Sequence, residues 1–330
     1  MRNIVVTGGA GFLGRHLCSR LLYEEQDAAI YCVDNLITGR LSNIARFREN
    51  QSFFFVEADV THDLTELVGA GNLPAEIHAI YHLACIASPP TYKKYSIETL
   101  HTNFNGTANV LELARKTGAK VLFTSTSEVY GDPLVHPQPE EYYGNVNTVG
   151  ERSCYDEGKR VAETLMYEYR KRYGMDTKIV RIFNTYGPYM DIGDGRVITN
   201  FIQKVMKNEP LVIYGDGTQG RSFCYVSDMI SGLVGMMRSD ESGPINIGSP
   251  DNEFTLNELV ETFEEILRRK LNVRYIHATE NDPKQRRPVI DIARKRLKWS
   301  PHVSLRNGLR ETMEYFGVEF APENSSVETT

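Results

Sequence analysis

At 330 residues, with 41% hydrophobic and 24% charged side chains, the chain has the composition of an ordinary water-soluble globular protein, long enough for one large domain or two lobes. A net charge of −6 with no densely Lys/Arg-rich segment argues against a nucleic-acid surface as the main partner, and no stretch approaches the roughly 18 apolar residues of a membrane span. Five scattered cysteines (Cys18, Cys32, Cys85, Cys154, Cys224) without Cys-x-x-Cys spacing argue against a disulfide framework or zinc site and predict reduced thiols and no metal.

Asn3–Thr7 reads as a strand almost at the start, so no signal peptide is expected and the cytoplasm is the expected compartment. Thr7-Gly-Gly-Ala-Gly-Phe-Leu-Gly14 then opens a helical pattern over Phe12–Tyr23. Gly8, Gly11 and Gly14 permit a tight turn and let the backbone of Phe12 and Leu13 approach a pyrophosphate at the helix N-terminus. The next strand, Ile30–Asp34, ends on a carboxylate twenty residues beyond Gly14, the position that accepts hydrogen bonds from the adenosine ribose and repels a 2′-phosphate. The expected cofactor is therefore NAD rather than NADP, with Arg40 as the one nearby feature favouring the phosphorylated form. Asn35, Thr38 and Gly39 extend the same cofactor wall. A further strand at Ser52–Glu57 leads to Asp59 and Val60, where Asp59 either reaches the adenine edge or starts the following turn.

Strands are predicted at Ala79–Leu83, Lys120–Ser125 and Thr177–Ile182, with helices at Glu98–Thr117 and Tyr155–Tyr173, the latter closed by Gly174. Such alternation predicts an α/β fold, a Rossmann-type doubly wound parallel sheet with helices on both faces. Thr124-Ser-Thr-Ser-Glu-Val-Tyr-Gly131 follows the fifth strand, on the sheet edge that binds ligands in such folds. Thr126 can hydrogen-bond a reacting hydroxyl there, and Glu128 can move a proton or position water. Both also fit an ordinary turn. Tyr155 and Lys159, four apart on a helix, share one face; an ammonium beside a phenol lowers the hydroxyl from its usual value of about 10. Cys154 beside Tyr155 reads as a bystander thiol more readily than as a nucleophile.

After Ile182 the rhythm changes, with Gly187-Pro188, Gly193-Asp194-Gly195 and Gly215-Asp216-Gly217 punctuating helical patterns near Val197–Lys207, Tyr225–Arg238, Thr255–Arg269 and Leu305–Tyr315. The expected organisation is an NAD-binding domain over 1–183, to which segments near 220–248 return, a smaller C-terminal α/β substrate lobe over 184–320, and a polar disordered tail over 321–330.

Together the glycine loop, Ser127-Glu-Val-Tyr-Gly131 and Tyr-x-x-x-Lys resemble the extended short-chain dehydrogenase/reductase superfamily that acts on nucleotide sugars. Within it, Gly144-Asn-Val-Asn147, Arg152–Glu163, Arg181–Pro188, Asp194–Phe201, Gly220–Asp228 and Asn281–Pro288 resemble the UDP-glucuronic acid decarboxylases, or UDP-xylose synthases, over nearly the whole chain. Tyr-Asp-Glu-Gly-Lys is the most specific element of the likeness. The resemblance implies that Tyr155 takes the C4 hydroxyl proton as NAD accepts hydride. The C4 ketone then drains electrons from the departing carboxylate, C5 is protonated, and hydride returns to give UDP-xylose. By the same resemblance Lys159 lowers the Tyr155 pKa and holds the nicotinamide ribose, Glu128 handles water or a proton, and Arg286 anchors the substrate. Ala84, Ser88, Thr102, Thr185 and Arg196 would line the cofactor; Ser127, Asn184, Val197, Asn200, Tyr214 and Arg221 would bind the UDP-sugar. A homodimer pairing Glu98–Thr117 with Tyr155–Tyr173 as a four-helix bundle is also implied.

Three positions depart from that pattern. His101 stands where a substrate-touching Lys is common, Tyr189 replaces an Arg and removes a positive charge, and Cys85-Ile86 stands where Ser-Pro or Cys-Pro is common. Ser127 speaks against a UDP-apiose/xylose synthase, which carries Cys there, and against a 4,6-dehydratase, which carries Asp. A 4-epimerase would lack Glu128. A catalytically silent NAD-binding protein would not be expected to keep Thr126, Glu128, Tyr155 and Lys159 together.

Overall fold

The computed structural model describes residues 1–277 and 285–320; the expected tail at 321–330 and the Asn281–Lys284 part of the family likeness lie outside the described residues. Seven parallel strands form the central sheet: β1 (Arg2–Thr7), β2 (Ala28–Asp34), β3 (Phe53–Glu57), β4 (Ala79–His82), β5 (Lys120–Thr126), β6 (Thr177–Ile182) and β7 (Ile245–Ile247). Their spatial order is β7-β6-β5-β4-β1-β2-β3. The order reverses at β1, which pairs in parallel with β2 through Ile4 and Ile30 and with β4 through Ile4 and Ala79. The crevice beyond the carboxyl ends of β1 and β4 is thus a topological switch point, where open α/β sheets bind ligands.

Strand periodicity divides the core between the two faces. Ile4, Val6, Ile30 and Cys32 join one cluster and Val5 and Val33 the other. Val121, Phe123 and Ile179 pack beneath Val110, Ala114, Ala162 and Met166 on the second face. This double burial explains the unbroken apolar runs in β1 and β5.

The predicted Glu98–Thr117 helix is a longer composite. Ser96–His101 is α-helical, Thr102–Gly106 forms a π-turn, and Thr107–Thr117 resumes the α-helix before Gly118 ends it at φ 73°. Ser153–Tyr173 packs along all three pieces. Past β6 the chain builds three small sheets: Thr185–Tyr186 with Cys224–Tyr225, Leu211–Tyr214 with Val273–Ile276, and Gly220–Ser222 between Glu253–Thr255 and Gln285–Arg286. The Val226–Arg238 helix goes back to pack against Phe12–Glu24, β5 and β6, and β7 joins the main sheet beside β6. A complete capping box, Thr255 with Glu258, starts the Leu256–Leu267 helix and contributes about 1 kcal/mol by satisfying two helix-terminal N–H groups.

Candidate active site

One cleft of about 1650 Å³ runs along the carboxyl edge of the sheet and under the small sheets, larger than a pocket for one drug-sized ligand and roomy enough for a dinucleotide beside a nucleotide sugar. Every site residue expected from the sequence lines it except Asp59, whose carboxylate accepts from Asn35 Nδ2 at 2.8 Å and from the Thr61 amide at 2.8 Å. Asp59 therefore positions Asn35, the turn-starting alternative, rather than forming the wall itself.

At the dinucleotide end, Gly11 caps the Phe12–Glu24 helix in extended conformation, leaving its first amides free to face an anion. A Cβ on Gly14 would stand 2.1 Å from the Gly8 carbonyl oxygen, so only glycine lets the turn close this tightly. Asp34 ends β2 and accepts from the Ala10 and Leu36 amides at 3.0 and 2.8 Å. Its burial pushes its carboxyl pKa up against those two bonds, which suits a group completed by sugar hydroxyls. The glycine cradle and the buried, hydrogen-bond-hungry carboxylate fit an adenine dinucleotide.

At the reaction end, β5 hands over to a short 3₁₀ turn, Ser127–Tyr130, capped by the Thr126 hydroxyl, which accepts from the Glu128 amide. Ser153–Tyr173 runs alongside and brings Tyr155 and Lys159 under the same turn, both buried. Lys159 Nζ donates to the Thr124 carbonyl at 2.8 Å and lies 4.6 Å from the Phe123 ring centroid. Burial pushes the Tyr155 hydroxyl well above its ordinary value, and the groups that draw it down most are Thr126 and Arg196. Burial likewise lowers the Lys159 pKa. Lys159, expected to lower the Tyr155 pKa, is tied to the β5 backbone, and burial is the largest influence on the phenol. Tyr92 stacks flat on Tyr155, centroids 5.2 Å apart, and fixes the ring plane.

Glu128 is clamped by two guanidiniums, Arg152 on one carboxylate oxygen and Arg286 on the other. Burial would raise this carboxyl, but Arg286 and Arg152 outweigh it and hold it at about 2, so it is ionised at neutral pH. Arg286, 2% exposed, also donates to the Gly131 carbonyl at 2.8 Å and thereby ties the last small-sheet strand to the turn after β5. Arg152 and Asp156 were missed as site residues. Both line the cleft, and Arg152 Nε lies 3.9 Å from Asp156 Oδ2. Their helical spacing, with Arg152 three residues before Tyr155 and four before Asp156, was the available signal.

The departures resolve differently. His101 is exposed at the end of its α-helix and is not part of the cleft wall, so the expected effect on substrate contact does not arise. Tyr189 does line the cleft, at φ 65°, and the Arg15 guanidinium lies 3.5 Å from its ring centroid. Arg15 itself is buried and does not line the cleft. Cys85 Sγ donates to Asn103 Oδ1 at 3.4 Å, and Ile86 packs in the Tyr92/Tyr155 cluster. Cys154 bonds the Tyr92 carbonyl, lies outside the cleft wall, and has its thiol pKa raised by burial, as suits a bystander. Among the described residues no group of three or more His, Cys, Asp or Glu side chains is placed to hold a metal ion, and no helix is long and apolar enough to cross a membrane.

Residues 4–248 match the NAD dependent epimerase/dehydratase family. The chain is 50% identical over 306 residues to UDP-glucuronic acid decarboxylase 5 of Arabidopsis thaliana, covering 93% of this chain and 86% of that protein. It is 44% identical over 318 residues to UDP-glucuronic acid decarboxylase 1 of Danio rerio, covering 96% and 73%. Its fold superimposes with a TM-score of 0.85 on UDP-glucuronic acid 4-epimerase from Bacillus cereus, solved with UDP-glucuronic acid and NAD, at 29% identity over 96% of this chain and 99% of that one.

Proposed function

This chain belongs to the NAD dependent epimerase/dehydratase family and, within it, to the UDP-glucuronic acid decarboxylases, and we propose that it converts UDP-glucuronic acid to UDP-xylose and carbon dioxide. What carries this reading is the meeting of Tyr155, Thr126 and an ionised Glu128 in one cleft, with two guanidiniums already engaged by that glutamate. Residues 1–183, rejoined by the Val226–Arg238 helix and β7, serve as the cofactor lobe, and the rest of 184–320 as the sugar-nucleotide lobe. Bound NAD, held by the Gly8–Gly14 turn, Asp34 and the wall at Asn35, Thr38, Gly39, Val60, Ala84, Ser88, Thr102, Thr185 and Arg196, supplies the hydride acceptor and donor at C4.

Tyr155 takes the proton of the C4 hydroxyl, with Thr126 and Arg196 easing its ionisation against the cost of burial. Lys159, pinned to the Thr124 carbonyl, keeps its ammonium on the same helix face. Once C4 is a ketone, the C6 carboxylate is β to it, and the C5–C6 bond breaks with its electrons draining into the carbonyl as an enolate. The Glu128 clamp matters at this step. Because Glu128 offsets part of the charge of Arg152 and Arg286, the cluster keeps a residual positive charge that can orient the substrate carboxylate while holding it less tightly than two free guanidiniums would, so that its departure is slowed less. Asn184 from the connection after β6, Val197 and Asn200 from the Val197–Met206 helix, and Tyr214 and Arg221 from the small sheets bind the nucleotide, where an aromatic face and a guanidinium suit uracil and pyrophosphate.

We further propose a homodimer formed through the Ser96–Thr117 and Ser153–Tyr173 segments, supported by the exposed Ile97, Leu100, Phe104 and Tyr167, and a cytoplasmic location, supported by five free cysteines. Incubating the protein with NAD and UDP-glucuronic acid tests the reaction. The expected result is carbon dioxide and UDP-xylose with no net NADH; intact cofactor binding without release of carbon dioxide overturns it.

A further inference from the structure

Decarboxylation at C5 poses a proton problem that the residues named so far do not solve. Breaking the C5–C6 bond sends its electron pair into the C4 carbonyl and releases carbon dioxide, and the resulting enolate needs one proton to form the new C5–H bond. The proton taken by Tyr155 belongs to O4 and must return there when C4 is reduced again. Each turnover therefore draws one further proton from solvent through some group in the cleft. Glu128 is ionised by its two guanidiniums and has none to give.

Asp156 stands beside this clamp. It is 7% exposed and lines the cleft, and its Oδ1 is buried with no hydrogen-bond partner among the described residues. Its other oxygen lies 3.9 Å from Arg152, whose better contact is to Glu128. The Tyr92 hydroxyl, 1% exposed and also lining the cleft, is a second buried polar group without a partner, and it lies within the field of Asp156. Two unpartnered buried oxygens at one cleft wall are costly unless something hydrogen-bonds them there. A water shared with the sugar is the partner that such a site accommodates.

We infer that Asp156 is the proton store for C5, a positioning residue that acts through a water at its unpartnered oxygen and the Tyr92 hydroxyl. Its surroundings suit that task. Burial raises the carboxyl, the Glu128 charge raises it further, and Glu157 on its own helix adds to this. Arg152 on that helix and Arg286 from the last small-sheet strand oppose, leaving it at about 7. Asp156 thus holds a proton under the conditions in which Glu128 does not, and it recharges from solvent through the open cleft.

The inference rests on the decarboxylase reading, and Asp156→Asn separates the two. The replacement is isosteric and permanently neutral, so it imitates the protonated side chain without being able to deliver a proton. In the wild type, kcat is expected to fall above pH ~7 as Asp156 ionises; in the variant that limb disappears and kcat drops about 10²-fold, the scale of a lost general acid. Single-turnover NADH appearance, which reports the oxidation step, stays within about twofold of wild type, while NADH persists longer. Asp156→Glu restores part of the pH limb. Without substrate, the melting temperature of Asp156→Asn is expected to gain on the wild type as pH rises from ~4 to ~7 and to level off beyond, because the native carboxyl resists an ionisation that the unfolded chain welcomes. An unchanged pH limb in the variant, or a melting difference independent of pH, overturns the inference. Failure of the wild type to release carbon dioxide overturns the functional reading instead, while the melting comparison still decides whether Asp156 carries a near-neutral proton.

Discussion

Tyr155 illustrates how strongly surroundings set the work of a side chain. A buried phenol stacked on Tyr92 is a poor acid, and the groups that ease its ionisation come from the end of β5 and from the residue just before the Val197–Met206 helix. Replacing it by phenylalanine keeps the stack and the burial but removes the oxygen. Tyr155→Phe is expected to lower kcat by about 10²–10⁴-fold. NAD affinity, read by fluorescence titration, should change little because Lys159 is held by the backbone at Thr124. Comparable losses of cofactor affinity and rate would show that the hydroxyl serves binding instead. Glu128 is the converse case: a carboxylate that by sequence can move a proton or position water is kept ionised by Arg152 and Arg286, one on each of its oxygens.

At the scale of elements, the decisive contact lies between the Ser153–Tyr173 helix and the π-turn at Thr102–Gly106. The π-turn widens the composite Ser96–Thr117 helix where Thr102 faces the cleft and Asn103 faces the Ser153–Tyr173 helix. Asn103 is 1% exposed, donates to the Thr99 carbonyl at 2.9 Å and accepts from Cys85, so it has little room to yield. A Cβ on Gly158 would stand 3.0 Å from its Nδ2 and 3.1 Å from its Cβ. Glycine in Tyr-Asp-Glu-Gly-Lys therefore sets how closely the catalytic helix approaches the cofactor wall. Although alanine favours a helix intrinsically, Gly158→Ala is expected to destabilise the fold by ~1–3 kcal/mol through overpacking. Denaturant titration with an unchanged m-value checks this; a stabilised variant would mean that the two segments separate easily.

For the whole molecule, the cleft exists because the chain visits the main sheet, leaves it after β6 and comes back. Arg286 closes the arrangement by joining a strand near the end of the chain to Glu128 and Gly131 beside β5. The same composite helix that lines the cleft on one side turns an apolar face outward through Ile97 and Phe104, 61% and 47% exposed. That surface is where the proposed dimer pairs. Ile97→Glu combined with Phe104→Glu should place charges at its centre and halve the mass measured by light scattering, with the fold retained by circular dichroism. A variant that keeps the wild-type mass would place the dimer elsewhere or dissolve the proposal.

Local patterns determined much of this protein. Gly8–Gly14 and Asp34 announced the dinucleotide loop because a tight turn and a ribose-binding carboxylate are needs of a few consecutive residues. The alternation of short strands with longer helical patterns and the four-residue spacing of Tyr155 and Lys159 were likewise local, so the parallel sheet and the catalytic helix were readable without coordinates. Asp59, His101 and Asp156 were not, since what each does depends on neighbours far away in the chain. Asn35 captures Asp59, helix orientation leaves His101 in solvent, and Asp156 acquires its character from Glu128, Arg286 and burial. Sequence spacing determines which side chains share a face, whereas field, burial and distance between segments are sums over the folded whole; tertiary structure alone decides which buried carboxylate is ionised and which keeps its proton.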